Sequence, residues 1–323
     1  MPFTGIAGGW GNMGGGATFL LMPNIFSGFV AAGLTPHVAW RVSLLLPAAM
    51  CWSCALLCIF AAPHLPSPML GSAASQRAST MTAHSAIAVD SSPDATDGDF
   101  KEDSKHDPAS APLKQTTFSK SAAYLRGVCS LPIVILMLQY ACSFGVELSI
   151  DSVIGTYLQG HFGLNQRMAG NIGSIFGLMN FFARATGGGV SDRMHHRFGL
   201  RGRIGIQMIL LLINGICLAM FSLADSLPTA IVIMILFSFF TESTCGSTFG
   251  IVPQVAVAGM GVASGLVGAG GTAGGALFNL LFHHYVDDPK MGFRIMGAVV
   301  FAVGILSLAL KPDGTGLMSR SRA

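Results

Sequence analysis

Charge is what this sequence has least of. Only 10% of its 323 residues are Asp, Glu, Lys or Arg, and its mean hydropathy is +0.61. Soluble domains carry roughly 25% charged residues, so that class is excluded. The charges present nearly cancel, at +3, and no basic run with interleaved aromatics occurs, so nucleic acid is set aside as a partner. Cysteine is sparse and odd in number. Cys51, Cys54, Cys58, Cys129, Cys142, Cys217 and Cys245 all fall in apolar runs, which argues against a disulfide framework. Cys51-Trp-Ser-Cys54 has redox or zinc spacing, but no second pair or histidine set accompanies it, so buried packing is expected there. A basic N-terminal lead is also lacking. No cleavable signal peptide is expected, since an apolar, glycine-rich segment begins within a few residues of Met1.

What is present is a set of apolar runs of about 20 residues, the length a helix needs to cross the hydrocarbon core. Eight are expected, over 3–29, 38–62, 128–157, 169–190, 204–223, 229–252, 259–282 and 292–310. The fold class is an all-α polytopic membrane protein. Between the second and third runs lies a polar segment rich in Ser, Ala, Pro and Asp, without helical periodicity. The expected organisation is two helices over 1–62, a disordered cytoplasmic linker over 63–126, six helices over 127–311 and a cytoplasmic tail over 312–323. Lys and Arg concentrate in the linker, in the segment after the fourth run and in the tail, which orients those regions to the cytoplasm.

Arg184 stands inside the fourth run. At a helix centre an arginine is disfavoured by roughly 2.5–3.5 kcal/mol on insertion scales, so it needs a compensating acid, carbonyl, water or anionic substrate. The other reading is a helix-end arginine snorkelling to the headgroups, because Asp192 and Arg193 follow it. Glu147 and Asp151 lie four apart on one face of the third run, and Glu242 lies in the sixth. Each is a candidate for taking a proton, or else a carboxylate at a wet cavity or paired to an arginine. Glycines cluster in the first and seventh runs. Gly5 with Gly9, Gly11 with Gly15, Gly261 with Gly265 and Gly270 with Gly274 are each four apart, as in close-packed membrane helices. Two such segments in corresponding halves also flank central transporter sites.

Six spans after a long linker, with Gly187-Gly-Gly-Val-Ser-Asp-Arg-Met-His-His-Arg-Phe-Gly-Leu-Arg-Gly-Arg203 between two of them, resemble the second half of a major facilitator superfamily transporter. The stretches 7–18, 144–151, 176–192 and 248–253 are most similar to the nitrate/nitrite porter family of plants, algae and fungi. The resemblance covers nearly all of the chain outside the linker. It implies nitrate or nitrite transport by proton symport and alternating access. By position it implies anion binding by Arg184 and Asn12, with Gly8, Gly11, Gly15, Gly268, Gly271 and Gly274 allowing backbone approach. Gly188, Asp192, Arg193 and Arg197 become a gating signature loop. Expected partners are the nitrate or nitrite anion, protons and the lipid bilayer, with a single-span accessory protein for some eukaryotic members. No cofactor, no metal and no enzymatic activity are expected. The plasma membrane is the expected address.

One departure stands out. That family has about twelve spans, whereas eight are expected here, the first matching the family's fifth. The expectation is therefore an incomplete major facilitator fold lacking the first-half arginine that partners Arg184. Two other readings stay open: a membrane regulator or sensor acting through Ser and Thr of the linker, and an enzyme built on Cys51 to Cys58 with His64.

Overall fold

The computed structural model describes residues 2–61, 130–255 and 260–310, with side chains from residue 6 onwards. The expected linker and tail lie outside the described residues, as does His64. Among the described residues the elements are helical throughout: α1 (Pro2–Ala31), α2 (Pro36–Ser43), α3 (Leu45–Ala61), α4 (Leu131–Ala141), α5 (Phe144–Phe162), α6 (Gln166–Leu178), α7 (Asn180–Phe221), α8 (Leu227–Val255), α9 (Met260–His284) and α10 (Pro289–Ile305), ending in a 3₁₀ turn at Leu306–Ala309.

Among the described residues, seven helical runs are long and apolar enough to cross a membrane, one of them the 56-residue stretch Gln166–Phe221. At 1.5 Å per residue that stretch would be about 84 Å long, nearly three times the hydrocarbon core. It must reverse. Gly199 supplies the reversal, at φ 62° and ψ −153°, a backbone geometry open to glycine and strained for other residues. The seven runs thus contain eight crossings. Two of the expected spans are also interrupted. The third is two helices, α4 and α5, broken at Cys142–Ser143, and the fourth breaks at Met179 between α6 and α7.

One expectation is corrected here. The signature loop expected at Gly188, Asp192, Arg193 and Arg197 is helix: all four stand on the first arm of α7, which stays helical up to the break at Gly199. The physical reason is that a helix end rich in Arg and His can extend into water with its side chains solvated, so the turn needs only one permissive residue.

The chain divides into two compact units, one of residues 1–43 with 115–323 and the other of 44–114. The described part of the second is α3, which has no buried residue. Cys51, Cys54 and Cys58 are exposed on it, so the expected burial is not found. Nothing among the described residues of that unit covers the helix, and its apolar surface suits lipid.

In the larger unit α1 runs against α6 and α7 along a seam of glycines. A Cβ at Gly16 would lie 2.9 Å from the Cα of Gly177, and one at Gly170 would lie 2.9 Å from the carbonyl oxygen of Phe19. Neither distance is tolerable, so backbone meets backbone there. Gly11 faces open space, with nothing within 4 Å of a built Cβ. Gly16→Val should therefore abolish the folded, monodisperse protein in detergent, measured by fluorescence-detected size exclusion, while Gly11→Ala should leave the peak unchanged. Behind this seam α5, α6, α7, α8, α9 and α10 enclose an aromatic core of Phe176, Phe221, Phe237, Phe282 and Phe293, with Tyr157 at its edge. Phe293 meets both Phe221 and Phe282 edge-on at 4.9 Å, a favoured geometry for aromatic pairs.

Candidate functional site

Arg184 is the fifth residue of α7, one turn past the break at Met179, and is only 5% exposed. The small residues around it explain how it comes to be there. Gly187 and Gly246 bring α7 and α8 together so closely that a Cβ on Gly187 would strike the Ser243 carbonyl, and one on Gly246 would strike the carbonyl of Arg184 itself. On the far side, a Cβ on Gly145 would lie 2.7 Å from the Gly274 carbonyl carbon, which fixes α5 against α9. The guanidinium is thereby enclosed by three helices.

Its partners are two carboxylates. Nη2 donates to Glu147 Oε2 on α5, while Nε donates to Glu242 Oε2 on α8 at 3.2 Å and to Asn180 Oδ1 one turn back on α7 at 2.8 Å. Glu147 is the hub. Its Oε1 accepts from Asn12 Nδ2 of α1 at 2.9 Å and from Asn180 Nδ2 at 3.0 Å, and the Cys245 thiol lies 3.8 Å from its Oε2. Glu242 is fully buried, and its Oε1 has no hydrogen-bond partner among the described residues. The Phe144 ring lies 5.8 Å from the guanidinium carbon and stacks at 5.2 Å on Tyr140.

The sequence-derived residues divide into those this cluster gathers and those it does not. Arg184, Glu147, Glu242 and Asn12 are in direct contact, and Gly8 brings α1 within 3.6 Å of Arg184 Nη1, measured from a built Cβ. Gly15 stands beside Asp151, at 3.2 Å from its Oδ2 by the same measure. Gly11 and Gly268 have nothing within 4 Å. Gly271 makes room for the Tyr140 and Phe144 rings, at 2.6 and 2.9 Å, and Gly274 for the backbone of Ala141; both are packing positions against α4 and α5. Gly188 lies 3.6 Å from the Gly246 carbonyl. Asp192 pairs with Arg203 at 2.5 Å, and Arg203 also donates to the Gly250 carbonyl at 2.7 Å. Arg193 and Arg197 are exposed.

Asn180, Cys245 and Phe144 were missed in the sequence. The signal for each was helical spacing: Asn180 is four residues before Arg184, Cys245 three after Glu242 and Phe144 three before Glu147. The snorkelling reading of Arg184 fails, since its head is paired and enclosed. Glu147, Glu242 and Cys245 also bring their ligand atoms within 4.8 Å of one another, as a metal site would. In this arrangement the cation facing both carboxylates is Arg184.

A cavity of about 690 Å³ opens elsewhere, lined by Tyr157, His161, Asn279, His283 and Lys290 at the C-terminal ends of α5 and α9 and the start of α10. Tyr157 is ten residues beyond Glu147 on α5, so the cavity stands about 15 Å along the helix from the cluster. At its rim Lys290 donates to Asp225 at 2.7 Å and holds that carboxyl below the usual carboxylate range.

A profile of the Major Facilitator Superfamily matches residues 3–279. The chain is 38% identical over 309 residues to Nitrate transporter 2.1 of Chlamydomonas reinhardtii, covering 94% of this chain and 50% of that protein. It is 35% identical over 302 residues to High affinity nitrate transporter 2.5 of Arabidopsis thaliana, with 93% and 53% covered. Elsinochrome transporter 1 of Elsinoe fawcettii is 33% identical over 204 residues, with 62% and 39% covered. The chain spans about half the length of the curated nitrate transporters it matches.

Proposed function

Because this chain belongs to the major facilitator superfamily, whose members are transporters and not enzymes, we propose that the complete protein carrying it moves nitrate across a membrane in symport with protons. Arg184 is the anion's receptor in this reading, and the plasma membrane is its setting. The names of the relatives support the substrate: most of those matching over more than four fifths of this chain are nitrate transporters. Nitrite, also planar and singly charged, is the second substrate. A single-span accessory partner rests on the resemblance alone and has no residues assigned to it.

The observation that carries the reading is the enclosed guanidinium with two carboxylates on it. Nitrate is flat and charge-delocalised, and a planar fork of N–H donors suits it better than an ammonium does. With both glutamates ionised, however, the cluster carries one net negative charge. Unit charges about 4 Å apart interact by about 4 kcal/mol at an effective dielectric near 20. Nitrate entering that cluster meets two such repulsions and one attraction, a net penalty of about 4 kcal/mol. A single proton on one carboxylate removes one repulsion and brings the balance to about zero. Hydrogen bonds from the freed guanidinium then make binding favourable, at roughly 1.5–3 kcal/mol each. Proton and nitrate therefore enter together. Asp151, four residues beyond Glu147 on the same face, adds to the negative field.

Nitrate uptake into proteoliposomes of the complete transporter should rise with an inwardly directed proton gradient and be accompanied by alkalinisation of the outer medium. Uptake that is saturable yet indifferent to a protonophore would remove the symport reading and leave the anion site standing.

A further inference from the structure

We infer that the α7–α8 interface carries a proton exit path, separate from the anion's path, running from the turn that holds Glu242 to the end of the helices where Asp192 and Arg203 pair. This rests on the symport reading given above. Its evidence is a ladder of buried polar side chains between the second arm of α7 and α8, in a region where apolar packing would be expected.

The rungs have antiparallel register. Thr241 Oγ1 donates to Asn214 Oδ1 at 2.9 Å. Seven residues on along α8 and seven back along α7, Gln207 Nε2 donates to Thr248 Oγ1 at 2.8 Å. Next, Arg203 donates to the Gly250 carbonyl and pairs with Asp192. Thr244 and Ser247 of α8 and Ser191 of the first arm of α7 add buried hydroxyls along the same length of α8, all 0% exposed, as are Asn214, Thr241, Gln207 and Thr248. Glu242 adjoins Thr241 in sequence and shares its helical turn.

The second observation is that the rungs are unsatisfied. Glu242 Oε1, Asn214 Nδ2, Gln207 Oε1, Ser247 Oγ, Ser191 Oγ and Arg203 Nε are buried without a hydrogen-bond partner among the described residues. Leaving such a group unpaired costs about 1–3 kcal/mol each, so a purely structural seam would be strongly selected toward Leu and Val. The orphan atoms recur at every rung, and water satisfies groups of this kind in buried polar sites. The first two rungs are two helical turns apart, about 10 Å, and the third follows one turn further along α7, about 6 Å; the longer interval is a span for two or three hydrogen-bonded waters held by the hydroxyls between. A proton leaving Glu242 needs only such a wire: one O–H bond breaks at the carboxyl, one forms on the first water, and the last water releases its proton beside Asp192. In this reading the close contact of α7 with α8 leaves the seam to protons and water and not to the anion. The charged and titratable groups facing Glu242 are Arg184 of α7, Glu147 and Asp151 of α5, and Cys245 of α8.

The test compares two transport modes of the complete transporter in proteoliposomes. Equilibrium exchange of labelled nitrate can proceed with the proton still bound, whereas uphill uptake requires the proton to leave. Gln207→Leu and Asn214→Leu should keep exchange within about threefold of wild type and reduce proton-driven uptake at least tenfold, and Gln207→Glu should restore part of that uptake. Thermal stability of each variant is measured alongside. Uptake and exchange both near wild type in the leucine variants would overturn the path. Loss of both in a folded variant would do so too, since it assigns the seam to packing or the anion route. Wild-type uptake that moves no protons would instead overturn the symport reading beneath it.

Discussion

Replacing Arg184 with lysine is expected to abolish saturable nitrate uptake while leaving the protein inserted in the membrane. The charge is kept, so a loss isolates geometry. Arg184 serves three acceptors from one planar group, with its Nε–H shared between Glu242 and Asn180 and Nη2 donating to Glu147. An ammonium on a shorter reach cannot serve these partners and a planar anion together. Two charge-assisted hydrogen bonds to nitrate are lost in part, which at roughly 1.5–3 kcal/mol each weakens binding by about 100-fold or more. Surface biotinylation reports insertion, and labelled nitrate uptake reports the loss. Uptake at near-normal affinity would refute the receptor role. Arg184→Ala should do more damage, leaving two buried carboxylates without their cation, a change of about 3–5 kcal/mol in stability.

The second large effect is expected at Glu242. Glu242→Gln keeps a hydrogen-bond acceptor for Arg184 Nε but cannot exchange a proton, so accumulation against a gradient should fall at least tenfold while equilibrium exchange survives. The contrast with Glu147→Gln is the sharper part of the prediction. Glu147 accepts from Arg184, Asn12 and Asn180 with both oxygens, and a glutamine offers only one acceptor oxygen to that set. Glu147→Gln should therefore disturb the assembly of α1 against α5 and α7 and lower both transport modes together. Glu242 differs because one of its oxygens meets no donor, so a proton can sit there without displacing a partner. Equal behaviour of the two variants would show that the carboxylates act as one unit, and the separate roles given to them here would be wrong.

Much of this was legible in the sequence because the bilayer forces it. Eight apolar runs, an arginine inside one of them and acidic residues in two others follow from length and polarity alone. The helix breaks at Cys142–Ser143 and Met179 were not legible, since neither carries a Pro or Gly at the break and hydropathy is continuous across it. The segment 191–203 misleads for the opposite reason: its charges suggest a connector, yet only Gly199 leaves the helix. Glycine roles were read by spacing of four within one helix. The contacts obey a different logic, because the close approaches depend on which glycine faces which neighbour. Gly16 meets Gly177, while Gly11 and Gly268 meet nothing. Nor does one sequence show that Arg184, Glu147 and Glu242 converge, since those residues come from three helices up to 95 positions apart. The family resemblance named Arg184 but was silent on its being held by two acids, and that pairing links anion binding to protonation.

The central claim is that nitrate binds Arg184 only as a carboxylate beside it takes a proton. Isothermal titration of nitrate into the purified complete transporter, in two buffers of different ionisation enthalpy at one pH, measures that linkage directly. The account predicts that close to one proton is taken up from the buffer per nitrate bound. Binding enthalpies that agree between the buffers after correction, with no proton taken up, would contradict it.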